Sequence, residues 1–240
     1  MSIRSIRPFA LAVVLGLGSF LGVVQFAPVP VDAAAALPTC RYDDVMTRHS
    51  STADWQITVL DSIYRLPKTY VPSGLVSTSR AGLNAGAYIR NFVIPDLAAM
   101  AKTARNAGAG LRIVSAYRSH AYQQQVYQRL VDKFGESAAR LSAARPGHSE
   151  HQLGTTIDFG SAKSAKGAWN YTDWATTAAG SWMKSNAWKY GFIMSYPKDL
   201  RSVTCYRYEP WHYRYVGRDL AAKVHHSGLA LRQYLWYHFE

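Results

Sequence analysis

Apolar positions along the chain recur at two spacings, and these divide it into helices and strands. From Ile94 onward, Leu97, Met100, Ala101 and Ala104 return every three or four residues, which predicts a helix with one buried face and Pro95 in its first turn. Gly108 and Gly110 end it. Leu111 to Ala116 reads as a buried strand, and Ser119 is placed to cap a second helix carrying Tyr122, Val126 and Leu130 on one side. Thr155 to Phe159, Gly191 to Tyr196, Cys205 to Tyr208 and His212 to Val216 read as further strands, rich in β-branched and aromatic residues. A helix from about Thr172 to Trp188, with Trp174, Ala178 and Trp182 inward, and another from Asp219 onward complete the set. Residues 37 to about 92, punctuated by Pro67, Pro72 and Gly74, read as an irregular wrap with short helices. Strands interspersed with helices predict an α+β fold: a single domain whose central, mainly antiparallel sheet is flanked by helices.

The first 33 residues change the picture of where this domain works. Arg4 and Arg7 precede an apolar run from Pro8 to Phe26, and an alanine-rich exit follows. That is the export pattern, so residues 1–33 are expected to be a cleaved signal peptide, or an uncleaved anchor, with the working domain outside the cytoplasm. Residues 34–59 then form an extension and 60–240 the domain proper. With 48% apolar and 18% charged residues the chain is globular. Its net charge is +12, and +11 without residues 1–33, whose two Arg and one Asp sum to +1. Outside a membrane such a charge matches an anionic wall or membrane surface. Nucleic acid is not expected as a partner, because the Lys and Arg residues are scattered and no binding motif is present. The domain is expected to be a monomer. Cys40 and Cys205 are the two cysteines, and in an oxidising compartment they most simply pair, closing a loop worth roughly 5 kcal/mol on the chain-entropy model. Lipidation of Cys40 and metal ligation by Cys205 are weaker alternatives.

Two segments carry chemistry. His151 and Asp158 bracket Gly154 at the entrance to a strand, and Glu209-Pro210-Trp211-His212 lies in a turn between two others. Three protein ligands and one open position make a catalytic zinc site, and His151, Asp158 and His212 fit that inventory. Glu209 is then placed as general base toward a metal-activated water, later passing the proton to the leaving amine. The chain has four Glu residues, and Glu150 and Glu209 both fall in these segments. Ser115-Ala116-Tyr117-Arg118-Ser119, followed by Gln123, sits at a strand-to-helix junction. There Arg118 can hold a carboxylate or a developing oxyanion, and Gln123, one helical turn on, can add a donor.

These motifs resemble one family. Ser-x-Tyr-Arg-Ser with its Gln, Pro146-Gly147-His148-Ser149-Glu150-His151-Gln152-Leu153-Gly154 through Asp158, and Glu-Pro-Trp-His-Tyr-Arg-Tyr-Val-Gly at 209–217 are similar to the VanY-type zinc D-alanyl-D-alanine carboxypeptidases. Leu66-Pro67-x-x-Tyr70-Val71-Pro72 and Tyr190-Gly191-Phe192-Ile193 add to the likeness, which spans roughly residues 60–235. The resemblance implies the fold shared by lysostaphin-type peptidases and the hedgehog signalling domain. It implies one zinc ion on His151, Asp158 and His212, with Glu209 as catalytic base. It further implies a peptidoglycan stem-peptide substrate contacted by Arg118, Gln123 and Ser149; Trp211 can wall the site, and Tyr117 is counted with the substrate-binding residues. Thr156 departs from the family pattern, which has Ala two residues before the Asp ligand.

The competing mechanisms are weaker. Ser195-Tyr196-Pro197-Lys198 matches Ser-x-x-Lys, but Pro197 follows an apparent strand and the chain contains no Lys-Thr-Gly partner. A non-catalytic wall-binding module would need neither Glu209 nor Arg118. An L,D-carboxypeptidase or a stem-peptide endopeptidase would use the same residues, so the motifs do not choose the bond.

Overall fold

The computed structural model describes residues 36–240; the expected export segment, 1–33, lies outside the described residues. Among the described residues no helix is long and apolar enough to cross a membrane. The described residues belong to one compact unit. Its N-terminal part holds two small sheets that the sequence pattern did not reveal. One is parallel, β1 (Val45–Met46) with β2 (Tyr64–Arg65); the other is antiparallel, β3 (Leu75–Ser77) with β4 (Tyr88–Arg90). Strands of two or three residues are too short for a period-2 pattern to show.

The chain continues through α1 (Ile94–Asn106), β5 (Leu111–Ser115), α2 (His120–Phe134), α3 (Glu136–Ser142), β6 (Thr156–Ser161), α4 (Ala178–Asn186), β7 (Phe192–Met194), α5 (Arg201–Thr204), β8 (His212–Tyr215), α6 (Arg218–Ser227) and α7 (Leu231–Phe239). The central sheet has the order β5-β6-β8-β7 with every pair antiparallel. Alternation along its strands separates two faces. Ile113, Ile157, Phe159, Phe192 and Tyr213 join Leu97, Met100 and Ala104 of α1 and Met183 of α4 in the main core. The other face carries Thr156, Asp158, His212 and Arg214. A second cluster, Val59 with Val216, Val224, Leu231 and Leu235, seats α6 and α7.

α1 follows its predicted pattern, with Leu97, Met100, Ala101 and Ala104 buried. Ser119 does cap α2, its Oγ accepting from the Tyr122 N–H at 3.1 Å. However, the buried residues of that helix are Gln123 and Tyr127. The apolar stripe of Tyr122, Val126 and Leu130 instead lines a cleft described below. The expected helix from Thr172 begins later, at Ala178, because the Thr177 side chain caps it by accepting from the Gly180 N–H. Its inward residues are therefore Ala179, Gly180 and Met183, while Trp174 is buried in a preceding 3₁₀ turn. Residues 205–208 are not a strand. α5 ends at Cys205 in a left-handed conformation, φ 70°, and the chain runs irregularly to Glu209. The Cys40–Cys205 disulfide is present and ties the start of the described chain to this segment.

Candidate metal centre and catalytic cleft

Register alone puts two of the three expected ligands together. Asp158 of β6 lies directly opposite His212 of β8, so both side chains leave the same face of the sheet. A shift in register between Ile113 and Ser115 then sets Ser115, rather than Val114, opposite Asp158. His151 comes from a 3₁₀ turn, Glu150–Leu153, closed by Gly154 at φ 72°. A Cβ at Gly154 would lie 3.0 Å from Pro72 Cγ and 3.1 Å from Arg90 Cγ, so both conformation and space call for glycine. This turn-then-strand path brings His151 back over Asp158, and one donor atom from each of the three residues falls within 4.8 Å of the others.

Hydrogen bonds fix which nitrogen each histidine offers. His151 Nδ1 is 2.6 Å from the Ala116 carbonyl, which can only accept, so Nδ1 carries the proton. Its Nε2 is buried without a hydrogen-bond partner and faces Asp158 Oδ2 at 3.2 Å. Burial, then the charge of Arg118, pushes the His151 pKa down to about 4, which keeps the ring in the neutral form that ligates metal. His212 Nε2 donates to Glu150 Oε2 at 2.9 Å, leaving Nδ1 toward Asp158 Oδ1 at 3.0 Å. Burial opposes charge on His212, yet hydrogen bonds to Asp158 and Glu150 overcome it and lift the pKa to about 10. Burial likewise opposes the Asp158 carboxylate, but His151 and His212 hold its pKa well below the usual range. An orphaned imidazole nitrogen, an ionised carboxylate and the His212 Nδ1, which becomes a donor to metal on losing its proton, converge on one point. That donor set, borderline nitrogen plus one oxygen, fits zinc.

Glu150, given no role from sequence, orients this set. Its Oε2 accepts from His212 and from Ser195 Oγ at 2.6 Å, and its Oε1 from Arg214 Nη1 at 3.1 Å. Arg214 is anchored on the Thr58, Trp55 and Gln56 carbonyls. Although burial raises its pKa, these donors hold Glu150 down at about 2. A carboxylate behind a ligating histidine is the arrangement that fixes its tautomer. Ser195 is thus a buried partner of Glu150, not a nucleophile.

The remaining predicted residues line one cleft of about 680 Å³: Arg118, Gln123, Ser149, Glu209 and Trp211, with the three ligands. Glu209 Oε2 lies 3.6 Å from His212 Nδ1, and withdrawal from water raises its pKa to about 7. The turn before β8 closes through the His212 N–H to the Glu209 carbonyl at 3.0 Å. Arg118 donates from Nε to Gln123 Oε1 at 2.8 Å and from Nη1 to Ser115 Oγ at 2.7 Å, and Nη1 stands 3.5 Å from Asp158 Oδ2. Gln123 is buried and donates to the Ala144 carbonyl at 2.7 Å, so it braces Arg118 and holds α2 to residue 144. Tyr117 is not among the residues lining the cleft; its N–H donates to the Tyr88 carbonyl. Thr156 is fully buried, with its hydroxyl unpartnered.

An α+β domain with a buried His/Asp/His donor set, a carboxylate beside it and an arginine across the cleft has the layout of a metal-dependent hydrolase. The D-alanyl-D-alanine carboxypeptidase family, VanY, matches residues 86–218, more than half of the chain, and the chain belongs to this family. YodJ of Bacillus subtilis (strain 168) is 37% identical over 182 residues, covering 74% of this chain and 66% of that one. The chain spans 57–66% of the length of the first curated relatives it matches. Among solved structures, the LdcB LD-carboxypeptidase superposes with a TM-score of 0.64 at 34% identity, over 75% of this chain and 85% of that one. A mutant of the vancomycin-resistance D,D-pentapeptidase VanY, solved with Zn(II), gives 0.64 at 30%, over 75% and 99%.

Proposed function

We propose that the chain is a zinc carboxypeptidase that removes the terminal D-alanine from peptidoglycan stem peptides outside the cytoplasm. The observation that carries this reading is the convergence of His151 Nε2, Asp158 and His212 Nδ1, with Glu209 3.6 Å from the last and Arg118 3.5 Å from Asp158. These three residues would hold the ion. When bound, zinc supplies a Lewis acid that polarises the scissile carbonyl and lowers the pKa of water. Glu209 takes the proton of the attacking water and returns it to the leaving amine, a task matched by a carboxylate raised toward neutrality. Arg118 is committed to Gln123 and Ser115 through Nε and Nη1, which leaves Nη2 for the substrate carboxylate or the developing oxyanion. Ser149 and Trp211 line the same cleft. Glu150 and Arg214 hold His212 in the ligating tautomer throughout.

The LD-carboxypeptidase neighbour supports a second reading, in which the substrate is the tetrapeptide stem. Release of D-alanine by zinc-loaded protein from synthetic penta- and tetrapeptide stems decides between them. Release from the pentapeptide supports the D,D reading and release from the tetrapeptide alone the L,D reading. No release from either, or full activity in Glu209→Ala, refutes both.

A further inference from the structure

The segment between β6 and α4 supplies a wall of the cleft that none of the motif residues provides. Trp169 lies there, 53% exposed, lining the same cavity as Glu209 and Arg118. Its ring meets that of Trp211 edge-on, with centroids 6.4 Å apart and planes at 77°. The backbone on either side of it is braced. Ala168 is buried in the main core. Arg112 reaches from β5 to donate from Nε to the Ser164 carbonyl at 2.8 Å and from Nη2 to those of Ala165 and Lys166 at 3.2 and 3.0 Å. Tyr171 donates to Ser164 Oγ at 2.9 Å, and the Lys166 ammonium sits 4.4 Å over its ring. Gly167 completes the device: a Cβ there would lie 2.8 Å from Cε2 of Trp169, so glycine lets the indole lie against the chain. An exposed indole forgoes roughly 25 cal/mol of burial per Å² of apolar surface, and this one stands on a braced backbone at the cleft.

Sheet order says what it meets. β6 lies between β5 and β8, so Arg118, just after β5, and Trp211, just before β8, stand on opposite flanks of Asp158. A peptide whose carboxylate is held at Arg118 therefore crosses β6 toward Trp211 and Trp169. We propose that Trp169, with Trp211, forms an aromatic subsite for the residue on the acyl side of the D-Ala-D-Ala unit, selecting a long aliphatic side chain that packs on the indoles. The subsite rests on the carboxypeptidase reading.

Its test compares acetyl-norleucyl-D-Ala-D-Ala with acetyl-glycyl-D-Ala-D-Ala as substrates of the zinc-loaded protein. The wild type is expected to prefer the norleucyl peptide by about tenfold in kcat/KM, carried by KM. Trp169→Ala removes that preference while leaving kcat and KM for the glycyl peptide within about twofold. Gly167→Ala, allowed at φ −59°, displaces the ring without deleting it and gives an intermediate preference. A Trp169→Ala protein that keeps the preference, or that slows both peptides alike, overturns the subsite. Calorimetric binding of both peptides to Glu209→Ala, with and without Trp169→Ala, separates this from the underlying function. If wild type hydrolyses neither peptide, the D,D-carboxypeptidase reading fails. The subsite then stands on a binding preference lost with Trp169, and falls if the two peptides bind equally.

Discussion

At the scale of single residues, Glu209 and Glu150 show how one residue type takes two roles from two environments. Glu209 has no strong donor to its carboxylate, so burial dominates and its pKa rises to about 7. In its proposed role as base it works only when ionised, so kcat/KM is expected to fall as pH drops through that region. A bound divalent cation favours the ionised form and moves the acid limb to about 7 or lower. Glu209→Gln should lower kcat by about 10²–10⁴-fold and abolish this limb, read from pH–rate profiles of the zinc-loaded protein. Glu150 is surrounded by donors and ionises at about 2. Its Gln variant keeps the shape but loses the charge that fixes the His212 tautomer. Zinc affinity, measured by chelator competition, is expected to weaken by about 10–100-fold. Unchanged affinity would remove Glu150 from the site. The ligand residue types and Glu209 were legible because their chemistry is written in the side chain. Glu150 was not, since its role depends on Ser195 and Arg214, 45 and 64 positions away.

At the scale of elements, the site is made by where strands and turns begin and end. Gly154 is the junction between the 3₁₀ turn that carries His151 and the strand that carries Asp158. Gly154→Ala forces a side chain into left-handed backbone and against Pro72 and Arg90, and should destabilise the fold by more than about 1 kcal/mol. Denaturant titration checks this, and zinc affinity should fall with it because His151 shifts relative to Asp158. α1 was readable since its four buried positions follow helical spacing and face an apolar layer. α2 misled because its apolar stripe faces a cleft rather than the core, and periodicity cannot tell one from the other. Residues 205–208 carry strand-like aromatics, yet Tyr206 is buried against Tyr196 beside the disulfide, with no ladder to join. β-propensity of that kind reports a packing surface and not a backbone preference.

At the scale of the whole molecule, a separation of 165 residues is closed by Cys40–Cys205, and Arg232 reinforces the junction by binding the Pro38 and Val203 carbonyls as well as Asp61. Replacing both cysteines with serine should cost about 2–5 kcal/mol in denaturant unfolding, with addition of reductant to the wild type giving the same loss. The metal donors come from β6, β8 and the turn before β6, so kcat in the folded double variant is expected to stay near wild type. What sequence alone determined was the local chemistry: the ligand types, the residues proposed as base and as anion-binding arginine, the paired cysteines and the larger helices and strands. Each follows from residue identity and short-range spacing. What only the tertiary structure decided was adjacency: the register that opposes Asp158 to His212, the shift that brings Ser115 to Asp158, Glu150 behind His212, and Trp169 at the cleft. Those depend on strand pairing and packing between residues far apart in the chain, where many arrangements share one local pattern and burial selects among them.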